Sequence, residues 1–327
     1  MREIAALPLR IYLVSPIALT AVFALGMSPE ARAVCKLEKI AELHVDMVEN
    51  SPIIDGQING QPIRSLLETG ANSTFITMTA ARLLALPVRE YSSRTVYGVG
   101  GKQSVRTTNV KELRIGSFLL KDITINVVGN EIHDGNGVAS VQLGTDFLSG
   151  YATEFDFSHS VVRFLHPQDC KVEQLAYWSP TFAKVDLQPA FIVEIKVNGK
   201  PQHARLVSGS GKSYISLDGA KEGGVEPNSL GVEPAEPFVA SSASAIPTWI
   251  GRFNSIEIGQ EAMKNVRLHI GDVFPSGTRE FTGSHLPAQI KTSYQVVLGS
   301  DFFQAHRIIV TPDEHVALFT YNEGAVF

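Results

Sequence analysis

Two stretches of this chain are copies of one another. Displaced by 139 positions, Ile58-Asn59-Gly60-Gln61-Pro62 falls on Val197-Asn198-Gly199-Lys200-Pro201 without a gap. In the same register Leu66-Leu67-Glu68-Thr69-Gly70-Ala71 falls on Arg205-Leu206-Val207-Ser208-Gly209-Ser210, and Thr74-Phe75-Ile76-Thr77 on Ser213-Tyr214-Ile215-Ser216. A second pair follows, Val141-Gln142-Leu143-Gly144-Thr145-Asp146-Phe147 and Val296-Val297-Leu298-Gly299-Ser300-Asp301-Phe302. A chain carrying the same ordered motifs twice is two copies of one lobe, and 327 residues allow each copy its own core. The copies differ where chemistry is expected: Glu68 in one, Val207 in the other.

The local pattern is β. Short alternating or β-branched runs at 51–54, 61–67, 110–115, 123–128, 152–157 and 161–165 are punctuated by Gly, Asn or Asp. Asn59-Gly60 and Asn198-Gly199 each lie between two such runs and predict tight hairpin turns. One short helix per copy is expected after the repeat motif, at 79–86 and 217–223. Asp146 and Asp301 suit the N-caps of two more helical turns. Residues 223–237 and 272–287, polar and partly rich in Gly and Pro, read as loops. The expected division is a signal peptide at 1–33, an N-terminal segment at 34–49, a first lobe at 50–169, a linker with one strand at 170–187, and a second lobe at 188–327.

The N-terminus predicts export. Arg2 and Arg10 form a positive region, residues 11–27 are apolar, and Ala31-Arg32-Ala33 offers a small-x-small cleavage site. The apolar run falls short of the roughly 20 residues of a spanning helix, so no stable membrane span is expected after cleavage; an uncleaved membrane anchor is the alternative. Two cysteines remain, Cys35 and Cys170. In an exported protein they suggest one disulfide; two free thiols are the alternative. A net charge of −5 without a Lys/Arg stripe argues against a nucleic-acid partner. The nine histidines are scattered, so neither a metal site nor a cofactor is expected.

The first copy, from about 50 to 166, resembles the retropepsin-like (gag-type) aspartic proteases. The residues that carry the resemblance are Leu67-Glu68-Thr69-Gly70-Ala71, the Gly-rich Tyr97-Gly98-Val99-Gly100-Gly101, and Leu143-Gly144-Thr145-Asp146-Phe147-Leu148. The second copy resembles the same plan from about 190 to 321. The resemblance implies an all-β chain with few short helices: two retropepsin-like β-barrel lobes in a pepsin-like bilobal arrangement, with a cleft between them. It implies a monomer that takes an extended peptide or protein segment into that cleft, under a flap at Tyr97, Gly98, Val99, Gly100 and Gly101. An ordinary glycine hairpin is the plainer reading of the flap sequence. A second flap is not evident at 238–247, where Ser and Ala replace Gly.

That family's chemistry needs two carboxylates facing each other and sharing one proton. Here Glu68 stands at one dyad position and Val207 at the other, and no acidic residue lies within five positions of Val207. The added methylene of Glu displaces its carboxylate by roughly 1 Å, a misplacement that can cost about 100-fold in rate. A lone buried carboxyl tends to stay protonated. The supporting Thr69, Gly70, Ser208 and Gly209 are kept. The expectation is therefore an exported, periplasmic or extracellular pseudo-protease that binds peptides; the alternative is an endopeptidase using Glu68, through homodimerisation if two Glu68 carboxylates meet. Gly209-Ser210-Gly211-Lys212-Ser213 lacks the first glycine of a phosphate-binding loop. His203, beside the second motif, is expected to point off a strand into solvent.

Overall fold

The computed structural model describes residues 34–98, 101–129, 132–133, 138–238, 245–273, 279–280, 288–289 and 294–322. The expected signal segment lies outside them. The chain is mainly β with a few short helices, in two lobes.

The sequence repeat is also a repeat of strand order and register. In the first lobe the order runs Ser51–Ile58, Gln61–Leu67, Val141–Leu143, Phe75–Thr77, Phe118–Val128, Gly101–Ile115, Val88–Gly98, with Asp46–Val48 outside the first strand. In the second it runs Ile192–Val197, Lys200–Leu206, Val296–Leu298, Tyr214–Ile215, Glu261–Ile270, Ile246–Ile258, Glu233–Phe238. Each sheet curls back on itself, Ser51–Ile58 pairing with Gly101–Ile115 and Ile192–Val197 with Ile246–Ile258. The parallel pairs Ser65 with Val141 and Leu67 with Leu143 return as Ala204 with Val296 and Leu206 with Leu298.

The hairpins explain why the Asn-Gly pairs are there. Asn59 and Gly60 have φ of 51° and 80°, and Asn198 and Gly199 have 49° and 75°. Those values suit a type I′ turn, which needs left-handed backbone at both positions. Each Asn has a second task. The Asn59 side chain accepts from the Glu112 backbone N–H at 3.0 Å, and Asn198 accepts from Ser255 at 3.1 Å. Each hairpin tip is thus fastened to the long strand of its own lobe.

The helices after the motifs are Met78–Leu83 and Leu217–Glu222, capped by the hydroxyls of Thr77 and Ser216, each accepting at 3.0 Å from the N–H three residues on. Asp146 and Asp301 do not cap. Gly144 and Gly299 occupy those N-caps, and the carboxylates point elsewhere, as described below. Within the stretch expected to be a loop at 223–237, Glu233–Phe238 is an edge strand. Pro234 and Pro237 hid it, since proline disfavours strands but is tolerated at an edge, where the missing N–H faces no neighbour.

A third sheet joins the lobes. Its order is Lys36–His44, Val161–Gln168, Ala152–Asp156, His306–Thr311, Val316–Tyr321, Ala183–Asp186. The first three strands come from the first half of the chain and the others from the second; they meet where Phe155 faces Ile308 and Thr153 faces Val310. Residues 34–49 and 170–187 therefore supply one strand each to this sheet. Phe303, on the helix Ser300–Ala305, packs on Phe155 and Phe157 at 5.2 and 5.6 Å between ring centres, which runs the core through both halves. Cys35 and Cys170 form a disulfide beside the outermost strand pair, where Lys36 faces Gln168.

The bridging sheet also carries buried charge. Glu154 is fully buried and Asp156 nearly so. Arg163 donates to Glu154 at 2.6 Å, Arg307 to the same oxygen at 2.9 Å, and the Tyr177 hydroxyl to its other oxygen at 2.6 Å. Arg163 belongs to the first half and Arg307 to the second, so one carboxylate is shared across the junction. Burial alone would raise the Asp156 carboxyl, but the His159 contact and the two arginines hold it below its ordinary range. That contribution is present above the ordinary Asp range and is lost as pH falls through the lowered value.

Two outcomes are expected. Arg307→Ala should cost about 3–5 kcal/mol in denaturant unfolding, because it leaves buried acids short of a partner; a cost below about 1 kcal/mol would show that the junction does not depend on this pair. Removing the disulfide as Cys35→Ser with Cys170→Ser should cost about 2–5 kcal/mol in the same assay.

Candidate active site

The two motif loops meet back to back. Strand Gln61–Leu67 ends beside Val141–Leu143, and the Glu68 N–H donates to the Leu143 carbonyl at 2.9 Å; Val207 donates to Leu298 at 2.9 Å in the same way. The chain then turns, Ala71 donating to the Glu68 carbonyl at 3.2 Å and Ser210 to Val207 at 3.1 Å. The backbone hydrogen bonds at Glu68 and Val207 thus match.

Four reciprocal bonds lock the loops together. Thr69 Oγ1 donates to the Leu206 carbonyl at 2.7 Å and accepts from the Ser208 N–H at 2.9 Å. Ser208 Oγ donates to the Leu67 carbonyl at 2.8 Å and accepts from the Thr69 N–H at 3.1 Å. Both hydroxyls are fully buried, and each donates once and accepts once, so neither is left with an unmet demand.

A carboxylate behind each loop holds it in shape. Asp146 accepts from the Thr74 N–H and hydroxyl at 2.8 and 2.7 Å. Asp301 accepts from the Ser213 N–H and hydroxyl at 2.7 and 2.6 Å. This is where the recurring aspartates point. With both oxygens of each engaged on its own loop, neither is placed as a second acid for Glu68.

Glu68 and Val207 lie side by side where the two motif loops meet. Glu68 is buried, and its Oε1 accepts from the Gly70 N–H at 2.6 Å. Its carboxyl also meets the N–H of Gly209, in the opposite lobe. The extra methylene of Glu therefore carries the acid over to the second loop. Room for it comes from two glycines. A Cβ on Gly209 would overlap the Glu68 carboxylate, and one on Gly70 would lie 2.6 Å from Oε1 and 2.8 Å from Val207 Cγ1. Val207 is half-buried and packs with the apolar cluster of Ile192, Tyr214, Val273, Tyr294 and Val297.

Burial pushes the Glu68 carboxyl above its ordinary range; the Gly70 N–H, the Arg205 charge and the Gly209 N–H each oppose this without reversing it. Among the described residues no second carboxylate contributes. The arrangement can hold one proton and offer it to an acceptor in the cleft. Among the described residues no second carboxylate is placed beside it to form the pair that activation of a water between two acids uses.

The other sequence expectations fall as follows. Tyr97 and Gly98 face Lys102 and Gly101 across a hairpin; Val99 and Gly100 lie outside the described residues. His203 is half-exposed on strand Lys200–Leu206. Ser210 donates its hydroxyl to the Lys212 carbonyl at 2.8 Å, an internal loop bond. Arg205 is the residue that sequence reasoning missed. The signal was present, because the repeat aligns it with Leu66.

The raised Glu68 value has a sign that can be tested. Its folded-state carboxyl ionises at higher pH than an unfolded one, so any stability it confers is full below the ordinary Glu range and is lost as pH rises through the raised value. Glu68→Gln should match the parent protein near pH 4 and exceed its thermal stability near neutrality. Parallel stability curves for the two proteins across that range would overturn the assignment.

Comparison with known proteins agrees with the first lobe. The sequence profile of the family described as gag-polyprotein putative aspartyl protease matches residues 54–150. No curated protein sequence matches the chain. Among solved structures, a retropepsin-like aspartic protease from Rickettsia conorii is similar at 14% identity and a TM-score of 0.31, covering 41% of this chain and 95% of that one. An aspartic proteinase from Irpex lacteus is similar at 10% identity and a TM-score of 0.49, covering 86% of this chain and 97% of that one. The profile match covers the stretch that carries Glu68-Thr69-Gly70-Ala71, and the second lobe repeats its strand order and register. Both lobes therefore have the aspartic-protease fold.

Proposed function

We propose that this chain is an exported, peptide- or protein-binding pseudo-protease. The observation that carries the reading is the floor of the cleft: one buried carboxyl, bonded to the N–H of Gly70 and meeting that of Gly209, beside an aliphatic side chain. A water set there would have no second acid to share a proton with, so the hydrolytic step lacks its base-and-acid pair. The scaffold around the missing dyad is complete, and that supports retention of an extended chain by strand addition beneath the hairpin 88–108. The disulfide supports passage through an oxidising compartment, periplasmic or extracellular. Among the described residues no helix is long and apolar enough to cross a membrane.

A monomer fits this reading better than pairing of two first lobes. Thr69 already has its partner in Ser208 of the same chain, and a dimer bringing two Glu68 carboxylates together would first break all four buried bonds of that pair.

The test is a peptide-library incubation followed by mass spectrometry, from acid to neutral pH, beside a Glu68→Ala control. The expected outcome is retention of peptides without cleavage. Cleavage that disappears in the control would overturn the pseudo-protease reading and make Glu68 catalytic. In the reverse direction, Glu68→Asp combined with Val207→Asp should bring measurable acid-range cleavage to a protein that had none. A folded double variant without activity would show that more than the dyad has been lost.

A further inference from the structure

The two lobes line the walls beside Glu68 with different chemistry at equivalent positions. In the first lobe Ile53, Leu66 and Ala139 form a buried apolar triad. The strand pairings carry these positions onto Ile192, Arg205 and Tyr294 in the second lobe. Ile192 keeps the aliphatic contact, while leucine has become arginine and alanine has become tyrosine. The Arg205 guanidinium lies 5.8 Å from the centre of the Tyr294 ring, and Tyr294 is buried among Ile192, Tyr214 and Val297.

Arg205 is held from both lobes. Its Nε donates to the Ala190 carbonyl at 2.9 Å, and Nη2 donates to Asn72 Oδ1 at 3.1 Å, in the loop that follows Glu68. Those bonds use two of its five N–H donors. Its charge is felt at the Glu68 carboxyl, which places it beside the cleft floor. Among the described residues no carboxylate forms an ion pair with it. Glu68 is the nearby acid, and its Oε1 accepts from the Gly70 N–H while the guanidinium bonds Ala190 and Asn72, so no hydrogen-bonded pair joins the two. A half-buried guanidinium against an aromatic ring, fixed by two hydrogen bonds and without an ion-pair partner among the described residues, is a pre-set fork for a carboxylate.

We propose that the cleft selects peptides carrying a carboxylate, which pairs with Arg205 in the second-lobe wall beside Val207. This rests on the peptide-binding reading above. The carboxylate has two sources, an acidic side chain or a free C-terminus, and the guanidinium meets the same group in either.

The experiment uses the protein as its producing cell processes it, with four N-acetylated peptide libraries. They are free-acid or amidated at the C-terminus, and contain Glu or replace it by Gln. Retained sequences are resynthesised as matched pairs, and affinities are measured by fluorescence anisotropy. The acid member of a pair should bind at least about tenfold more tightly, the scale of one charge-assisted pair. A preference seen with Glu over Gln identifies a side chain as the source, and one seen with acid over amide identifies the terminus. Arg205→Gln should abolish the preference; Arg205→Lys, which keeps the charge and loses the fork, should retain only part of it. Equal affinities within every pair in the parent protein would overturn the proposal and leave peptide binding intact, a comparison that needs no variant to fold. Retention of no peptide by any library would overturn both.

Discussion

The reciprocal bonds between Thr69 and Ser208 are the point on which the rest of the structure turns. They are fully buried, and each hydroxyl reaches over its partner's loop to the carbonyl of the residue preceding the dyad position. Breaking either hydroxyl would strand a donor and an acceptor where water cannot replace them, and such groups are expensive to leave unmet. The lock therefore fixes how far Leu67 lies from Leu206, and through them the meeting of Glu68 and Val207. Everything outward follows in pairs: Asp146 and Asp301 brace the loops, and the bridging sheet with its shared Glu154 keeps the halves at one separation.

Within that symmetric frame, the difference between Glu68 and Val207 is local. Replacing an acid by Val207 removes a charge that would otherwise sit near a like charge, so the frame has nothing to compensate. Glu68 gains a methylene and meets the opposing Gly209 N–H, close to the pseudo-symmetry axis. One carboxyl thus bridges space that two would have shared. The result is a single buried carboxyl beside an aliphatic side chain, set on loops locked by the hydrogen bonds of Thr69 and Ser208.

The architecture was legible because the repeat was legible. Equivalent residues 139 apart, Asn59 and Asn198 or Thr77 and Ser216, turned out to make equivalent bonds. What stayed hidden was contact between remote segments. Nothing near Asp146 in the sequence indicates that Thr74 receives it, and a helix cap was the local explanation available. The edge strand Glu233–Phe238 stayed hidden because proline speaks against a strand until the absence of an outer neighbour is known. Arg205 was overlooked for a different reason. The Leu-to-Arg exchange acquires meaning only when Ala139 and Tyr294 are also seen to be equivalent.

That exchange bears on what the second-lobe position is for. A half-buried guanidinium is costly to desolvate, and aliphatic Leu66 fills the corresponding place in the first lobe at no such cost. Fold stability alone would favour an apolar residue at 205 as it does at 66. Hydrogen bonds to Ala190 and Asn72 offset part of the cost and, at the same time, hold the guanidinium in one orientation. Asn72 belongs to the loop of Glu68, so the orientation of Arg205 is tied to the lock between the lobes. A guanidinium held in one orientation, without an ion-pair partner among the described residues, is a poor structural element and a good recognition element, because a bound carboxylate would offset part of its desolvation cost.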